Sequence, residues 1–234
     1  MDLSQIQKNY YEDPLLVVDK KPGISVTKNQ NSEICLADIV KTVYGDDWSP
    51  VHRLDTNTSG LMIFAYGDML SSLNQLMRDR QITKCYLGVV EGEIPYGEHG
   101  IIDKRLRVDT EHNHTFVDPE GKGAVTEYYS LGTDGEASLM MLYLRTGKSH
   151  QIRAHMGYLN CPIKGDIKYG SISTEGQYLH SCMLGFLTLS FLSIPPWFQK
   201  YSFGRNIEEL KSTAEYAFRI NLNSQFTATF INTG

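Results

Sequence analysis

The chain has 234 residues, 41% of them hydrophobic and 21% charged, a size and balance that support a sizeable core and exclude wholesale disorder. A formal net charge of −5, with an isoelectric point near 5.8, excludes an indiscriminate polyanion binder. Four cysteines (Cys35, Cys85, Cys161 and Cys182) lie far apart without a CxxC spacing, which points to reduced thiols in a cytoplasm rather than a disulfide framework or a zinc site.

In chain order, MDLSQIQKNYYEDP has neither the basic region nor the apolar segment of a secretory signal. PLLVVDK (Pro14–Lys20) predicts the first strand, and KPGISV a turn into a short second one. Leu36, Ile39, Val40 and Val43 recur at helical spacing, predicting an amphipathic helix over Ile34–Tyr44. Gly60–Tyr66 is an apolar run expected to be a buried strand. Asp68 is the expected cap of a second helix that turns Leu70, Leu73, Leu76 and Met77 inward.

Strand signals then dominate. Lys84–Ile94 alternates, with Tyr86, Gly88 and Val90 on one face, and Ala124–Gly132 with Ala137–Arg145 predicts a hairpin around Thr133–Gly135. Ser149–Asn160 predicts a helix capped by Ser149. Gln177–Leu189 returns to strand, and Asn206–Phe218 predicts a last helix, beyond which no pattern is legible. The longest apolar-leaning run, Met183–Ile194, is short and interrupted by Thr188, Ser190 and Ser193, so it cannot span a bilayer as a helix. No repeat, low-complexity tract or linker appears, and the expectation is a single domain over residues 1–234. Helices and strands without strict alternation predict an α+β fold around a mixed, mostly antiparallel sheet.

Three stretches carry residues suited to chemistry. In HRLDTNTSGL, Asp55 sits in a polar turn just before a buried strand, where a carboxylate projects while the strand fixes its backbone. A turn-capping Asp55 with Arg53 paired to it on the surface explains that decapeptide at least as well. In Arg145–Asp166, a strand passes a Gly turn into a cation-rich helix, whose N-terminus beside Lys148 suits an anion. Five cations and a single acid, Asp166, fall between Arg145 and Lys168, and Lys104, Arg105 and Arg107 extend a possible basic surface. His150 and His155 are five apart, off the spacing of a helical zinc pair, so no metal is expected. A buried Arg153 needs an anionic partner, and Asp55 is the candidate. In KCYLG, a glycine beside Tyr86 leaves space above the sheet, for a core contact or a planar ligand.

Taken together, the stretches resemble the RluA family of pseudouridine synthases. HRLDTNTSGL is similar to that family's HRLDxxTSGL signature, KCYLGVVEG to its K-x-Y strand, and RTGKSHQIRAHM to its RTGRxHQIRxHL segment. CPIKGDIKYG and LHSCMLGF resemble two later segments, and the matches keep the family's order over residues 13–189. The resemblance implies a mixed, mostly antiparallel sheet around a central RNA-binding cleft, with no cofactor. It implies Asp55 as the catalytic aspartate, Tyr86 as the active-site tyrosine, Arg153 as the arginine pairing with the aspartate, and Arg53 as the arginine that displaces the base. Arg53, His52, Lys84, Arg145, Lys148, His150 and Lys164 are the expected RNA-binding residues. Lys148 stands where the family usually has Arg, which keeps the cation and loses a bidentate fork. About a dozen residues precede the first predicted strand, so the N-terminal RNA-binding module of many relatives is not expected; residues 219–234 are unassigned.

The implied reaction isomerises uridine in a tRNA or rRNA stem–loop, by a soluble cytoplasmic monomer. The residues alone leave open a covalent Asp55 route and a glycal route. Two rivals also stand, an RNA-binding module without catalysis and a carboxylate-dependent hydrolase, although the latter chemistry usually needs two carboxylates.

Overall fold

The structure, a computed structural model, describes residues 6–28, 33–213 and 229–232. Its strands are β1 (Ile6–Glu12), β2 (Leu15–Lys20), β3 (Ser49–Pro50), β4 (Ser59–Ala65), β5 (Thr83–Glu91), β6 (His99–Asp103) and β7 (Leu106–Asp109). They continue as β8 (His114–Val117), β9 (Val125–Thr133), β10 (Ala137–Leu144), β11 (Leu179–Phe186), β12 (Leu189–Leu192) and β13 (Thr229–Asn232). The helices are α1 (Leu36–Tyr44), α2 (Gly67–Arg78) and α3 (Gln151–Tyr158), and residues 207–213 are helical as well. This is the α+β class, with mixed, mostly antiparallel pairing.

Most expected elements form close to their expected bounds, and the exceptions have physical reasons. β1 was not expected, because IQKNYYE lacks apolar alternation. It forms as an edge strand, antiparallel to β2, with the Tyr10 ring 5.3 Å from that of Phe191. Asp68 lies in the first turn of α2 rather than at its cap, which is Tyr66; there its charge meets the positive end of the helix dipole. Ser149 does not cap α3. That position falls to His150, in the left-handed conformation at φ 50°. Of the helix expected over Asn206–Phe218, residues 214–218 lie outside the described residues.

The described residues pack as two compact units, one drawn from Met1–Thr83, His180–Pro195 and Arg219–Gly234, the other from Lys84–Leu179 and Pro196–Phe218. In the first, strands run in the order β1-β2-β4-β11-β12-β13, with β3 beside β4. β4–β11 and β12–β13 are parallel, and the other pairs antiparallel. LLVV of β2 and GLMIFA of β4 are apolar throughout because both faces are covered. Leu15, Val17, Leu61, Ile63, Leu73, Leu184 and Phe191 make the core, with Leu70, Leu76 and Met77 of α2 packed on it as their spacing predicts.

In the second unit β6-β9-β10-β5 is wholly antiparallel, and β7–β8 forms a separate hairpin. The β9–β10 turn is fixed by Asp134, whose carboxylate accepts from the Glu136 and Ala137 amides. No helix among the described residues is long and apolar enough to cross a membrane.

Candidate active site

In the first unit, Asp55 is half-buried on the turn entering β4, and the Thr58 amide donates to its carbonyl at 3.1 Å. Gly60, at φ +108°, ends the turn. A Cβ there would lie 2.6 Å from the Ser181 nitrogen, so the parallel crossing of β4 and β11 excludes any larger residue. Beneath the turn is Lys20, fully buried, whose ammonium donates to the carbonyls of Lys21, Ile24 and Thr56, each at 2.9 Å. Three acceptors engage three N–H bonds, which only the charged form has. Burial pushes Lys20 down to about 7 against the opposing pull of the Asp55 and Asp19 carboxylates. The same Thr56 carbonyl accepts from Gly23. Asp55 therefore stands on a backbone tied down at several points, with a buried cation beside it. The surface ion pair between Arg53 and Asp55 does not form: Arg53 is exposed, without a hydrogen bond or ion pair among the described residues.

In the second unit, Tyr86 is buried on β5 opposite Leu142 of β10. The space expected over Gly88 is filled. A Cβ there would lie 3.0 Å from Leu142 Cδ1 and 3.1 Å from Ile163 Cδ1, so the glycine admits aliphatic packing. Arg153, on α3, gives Nε and Nη2 to the two carboxylate oxygens of Asp166 at 2.6 and 2.9 Å, a buried bidentate fork. Its guanidinium lies 4.7 Å from the Tyr169 ring, which stacks on His114 at 4.7 Å with a 20° tilt. The Tyr169 hydroxyl bonds His150 Nδ1 and accepts from the Thr115 amide. The α3 arginine is thus gripped at its edge by a carboxylate and on its face by a ring.

The expected RNA-binding residues divide by what already holds them. His52 Nε2 accepts from the Ile63 amide, which secures the Asp55 loop to β4. His150 is engaged by Tyr169, and Arg145 spends Nε and Nη2 on Glu127, at 2.7 and 3.2 Å. Lys84 is half-buried, its Nζ 3.1 Å from where a Gly147 Cβ would stand, and burial pushes it below the usual lysine range. Lys164 lies 5.7 Å from the Tyr201 ring centre, and the Lys148 side chain is half-buried without a partner among the described residues. On the hairpin, Arg107 pairs with Asp118 and Glu120, and Arg105 donates to the Gly121 carbonyl. Of the basic surface expected there, Arg107 is neutralised by its acidic partners, while Arg105 keeps its charge and Lys104 lies over the Tyr158 ring.

Sequence reasoning missed Lys20, Gln151, Asp166, Tyr169 and His180. The buried Gln151 amide donates to Val125 O and Thr126 Oγ1 and accepts from Thr146 Oγ1 and the Lys148 amide, which shapes the turn before α3. Asp166 had a visible signal, as the lone acid among five cations. Lys20 had none, since burial of a lysine within a strand leaves no mark in the pattern, whereas His180 lies inside LHSCMLGF, a segment that carries the resemblance.

A profile described as RNA pseudouridylate synthase matches residues 14–158, more than half of the chain. "Uncharacterized RNA pseudouridine synthase YlyB" of Bacillus subtilis is 40% identical over 142 residues, 58% of this chain and 46% of that protein. "Pseudouridylate synthase RPUSD4, mitochondrial" of Bos taurus is 32% identical over 190 residues, 68% of this chain and 50% of that one. The chain thus spans about half the length of these curated relatives. The solved structure "Human RNA Pseudouridylate Synthase Domain Containing 1" shares the fold at a TM-score of 0.76 and 20% identity, over 92% of this chain and 96% of that one. By its sequence, and with a fold to match, the chain belongs to the RNA pseudouridylate synthase family, of the RluA type.

Proposed function

We propose that the chain isomerises specific uridines in a tRNA or rRNA stem–loop to pseudouridine, with Asp55 as the essential group. The observation that carries this is the Asp55 turn, which combines an anchored backbone with a buried ammonium beside the carboxylate. A catalyst that acts at one sugar carbon needs its reacting group held within a fraction of an ångström, and an anchored turn supplies that.

The target base leaves its stack to enter the site, as base chemistry within folded RNA requires. Arg53, exposed and held by no ion pair, takes the vacated place with its planar guanidinium. The N1–C1′ bond then breaks, the uracil turns over, C5 bonds to C1′, and the C5 proton is lost while N1 gains one. Atoms balance without an oxidant or external nucleophile. Asp55 either attacks C1′ or takes a ribose proton toward a glycal. Tyr86 stacks on the base and assists removal of the C5 proton. Arg153 serves the reaction as the resemblance implies, its orientation set by Asp166 and Tyr169.

The 234 residues act as one catalytic domain, as a monomer in the cytoplasm. Support for that compartment is that none of the four cysteines is in a disulfide. The test is tritium release from RNA carrying 5-³H-uridine. The native chain releases tritium, while Asp55→Asn, which keeps the side chain's shape, leaves the melting temperature unchanged and abolishes release. Substantial release by a folded Asn variant removes Asp55 from its role.

A further inference from the structure

Four polar side chains in the first unit form a single hydrogen-bonded line beneath the Asp55 turn. Ser59 Oγ lies 2.9 Å from His180 Nδ1, and His180 Nε2 lies 3.0 Å from Ser193 Oγ. Ser193 Oγ in turn donates to the Asp19 carboxylate. His180, Ser193 and the adjoining Ser181 are buried.

Only one arrangement of protons satisfies the whole line. A carboxylate can only accept, so the Ser193 hydroxyl proton points to Asp19. Its lone pair then takes the Nε2–H of His180, Nδ1 is left as acceptor, and Ser59 donates to it. Every bond runs in the same direction, ending on the negative charge of Asp19. Burial pushes His180 down to about 4, so the ring in the line is the neutral tautomer.

The line's two ends bracket the reactive turn. Ser59 is the first residue of β4, pressed against β11 through Gly60, and follows the Asp55–Thr58 turn directly. Asp19 adjoins Lys20, which grips the middle of the same turn at Thr56. The end of β2 thus holds the turn twice, through the Lys20 ammonium and through the histidine line. A phenylalanine-sized apolar group at position 180 would avoid the desolvation of an imidazole. What the polar line adds is a fixed direction at Ser59.

We propose that Asp19, Ser193, His180 and Ser59 are positioning residues for Asp55, acting on turnover through the turn and not on RNA affinity. This rests on the isomerase reading above. The test compares kcat, KM and filter-binding affinity for His180→Phe, Ser193→Ala and Ser193→Thr, with thermal unfolding as a check on fold. Displacing a reacting group by about 1 Å costs about 100-fold in rate, so the Ala and Phe variants lose between about 10- and 100-fold in kcat with KM and affinity unchanged. Ser193→Thr keeps the hydroxyl and restores kcat to within about threefold of the native value, which a role in packing alone does not predict. If His180→Phe does not fold, the Ser193 pair, which differs by one small group, decides. Unchanged kcat in folded Ser193→Ala overturns the proposal, as does a loss carried by RNA affinity or a Thr variant no better than Ala. Absence of tritium release by the native chain instead overturns the isomerase reading itself, and this inference with it.

Discussion

A guanidinium and a carboxylate withdrawn together from water are each costly, and at Arg153 and Asp166 the side chains are only 10% and 2% exposed. The bidentate geometry and the Tyr169 face compensate that cost while both partners are present. Removing one leaves a buried charge. Asp166→Ala is therefore expected to lose about 3 to 5 kcal/mol in urea unfolding. The double replacement Asp166→Ala with Arg153→Met is expected to recover part of it, because no charge is stranded; a loss below about 1 kcal/mol for Asp166→Ala places the ion pair among ordinary surface pairs. The need for a partner was legible in the sequence, since an arginine in the apolar frame of QIRAHM must find an anion. The choice of partner was harder. Asp166, thirteen residues away and the one acid in its stretch, supplies a bidentate partner that the motif around Asp55 does not suggest.

At the scale of elements, periodicity and apolar runs located α1, β4, β5 and the β9–β10 hairpin because their apolar residues are buried. β1 escaped because its stability lies in pairing to β2, a non-local bond that leaves no local pattern. The same limit hid the Ser59–His180–Ser193–Asp19 line, whose members come from three strands and the residue following β12 and meet only after folding. That line has a consequence for stability. His180 titrates near 6.5 when unfolded and about 4 in the fold, with Ser59, Ser193 and Asp19 as the groups facing it. Between those values the unfolded chain binds a proton that the folded chain refuses. The His180 contribution is thus complete above pH 6.5 and lost as pH falls toward 4. Going from about pH 7.5 to about pH 5 should cost the native chain about 2 kcal/mol more than a folded His180→Asn variant, in parallel urea titrations. Equal acid sensitivity in the two chains means that the ring protonates in place without penalty.

The whole molecule carries a net charge of −5 and yet is proposed to bind a polyanion, so where its cations are spent matters more than how many it has. Arg145 is closed by Glu127, and Arg107 by Asp118 and Glu120. Arg53 and Lys148 have no acidic partner among the described residues, and Lys164 rests on the Tyr201 ring. A cation already neutralised releases few counterions from a phosphate, and one without a partner releases its full share. The expected result is a shallow salt dependence of RNA affinity that comes from a few residues. In filter binding across a salt series, Lys148→Ala and Arg53→Ala are each expected to reduce the log–log slope by about 0.7 to 0.9, the share of one phosphate contact. Arg145→Ala, despite removing a cation from the same stretch of sequence, is expected to leave the slope within about 0.2 of the native value. A full-size change for Arg145→Ala, with none for Lys148→Ala, would mean that RNA opens the Glu127 pair on binding and that the ion pairing of the unbound chain does not select its contacts.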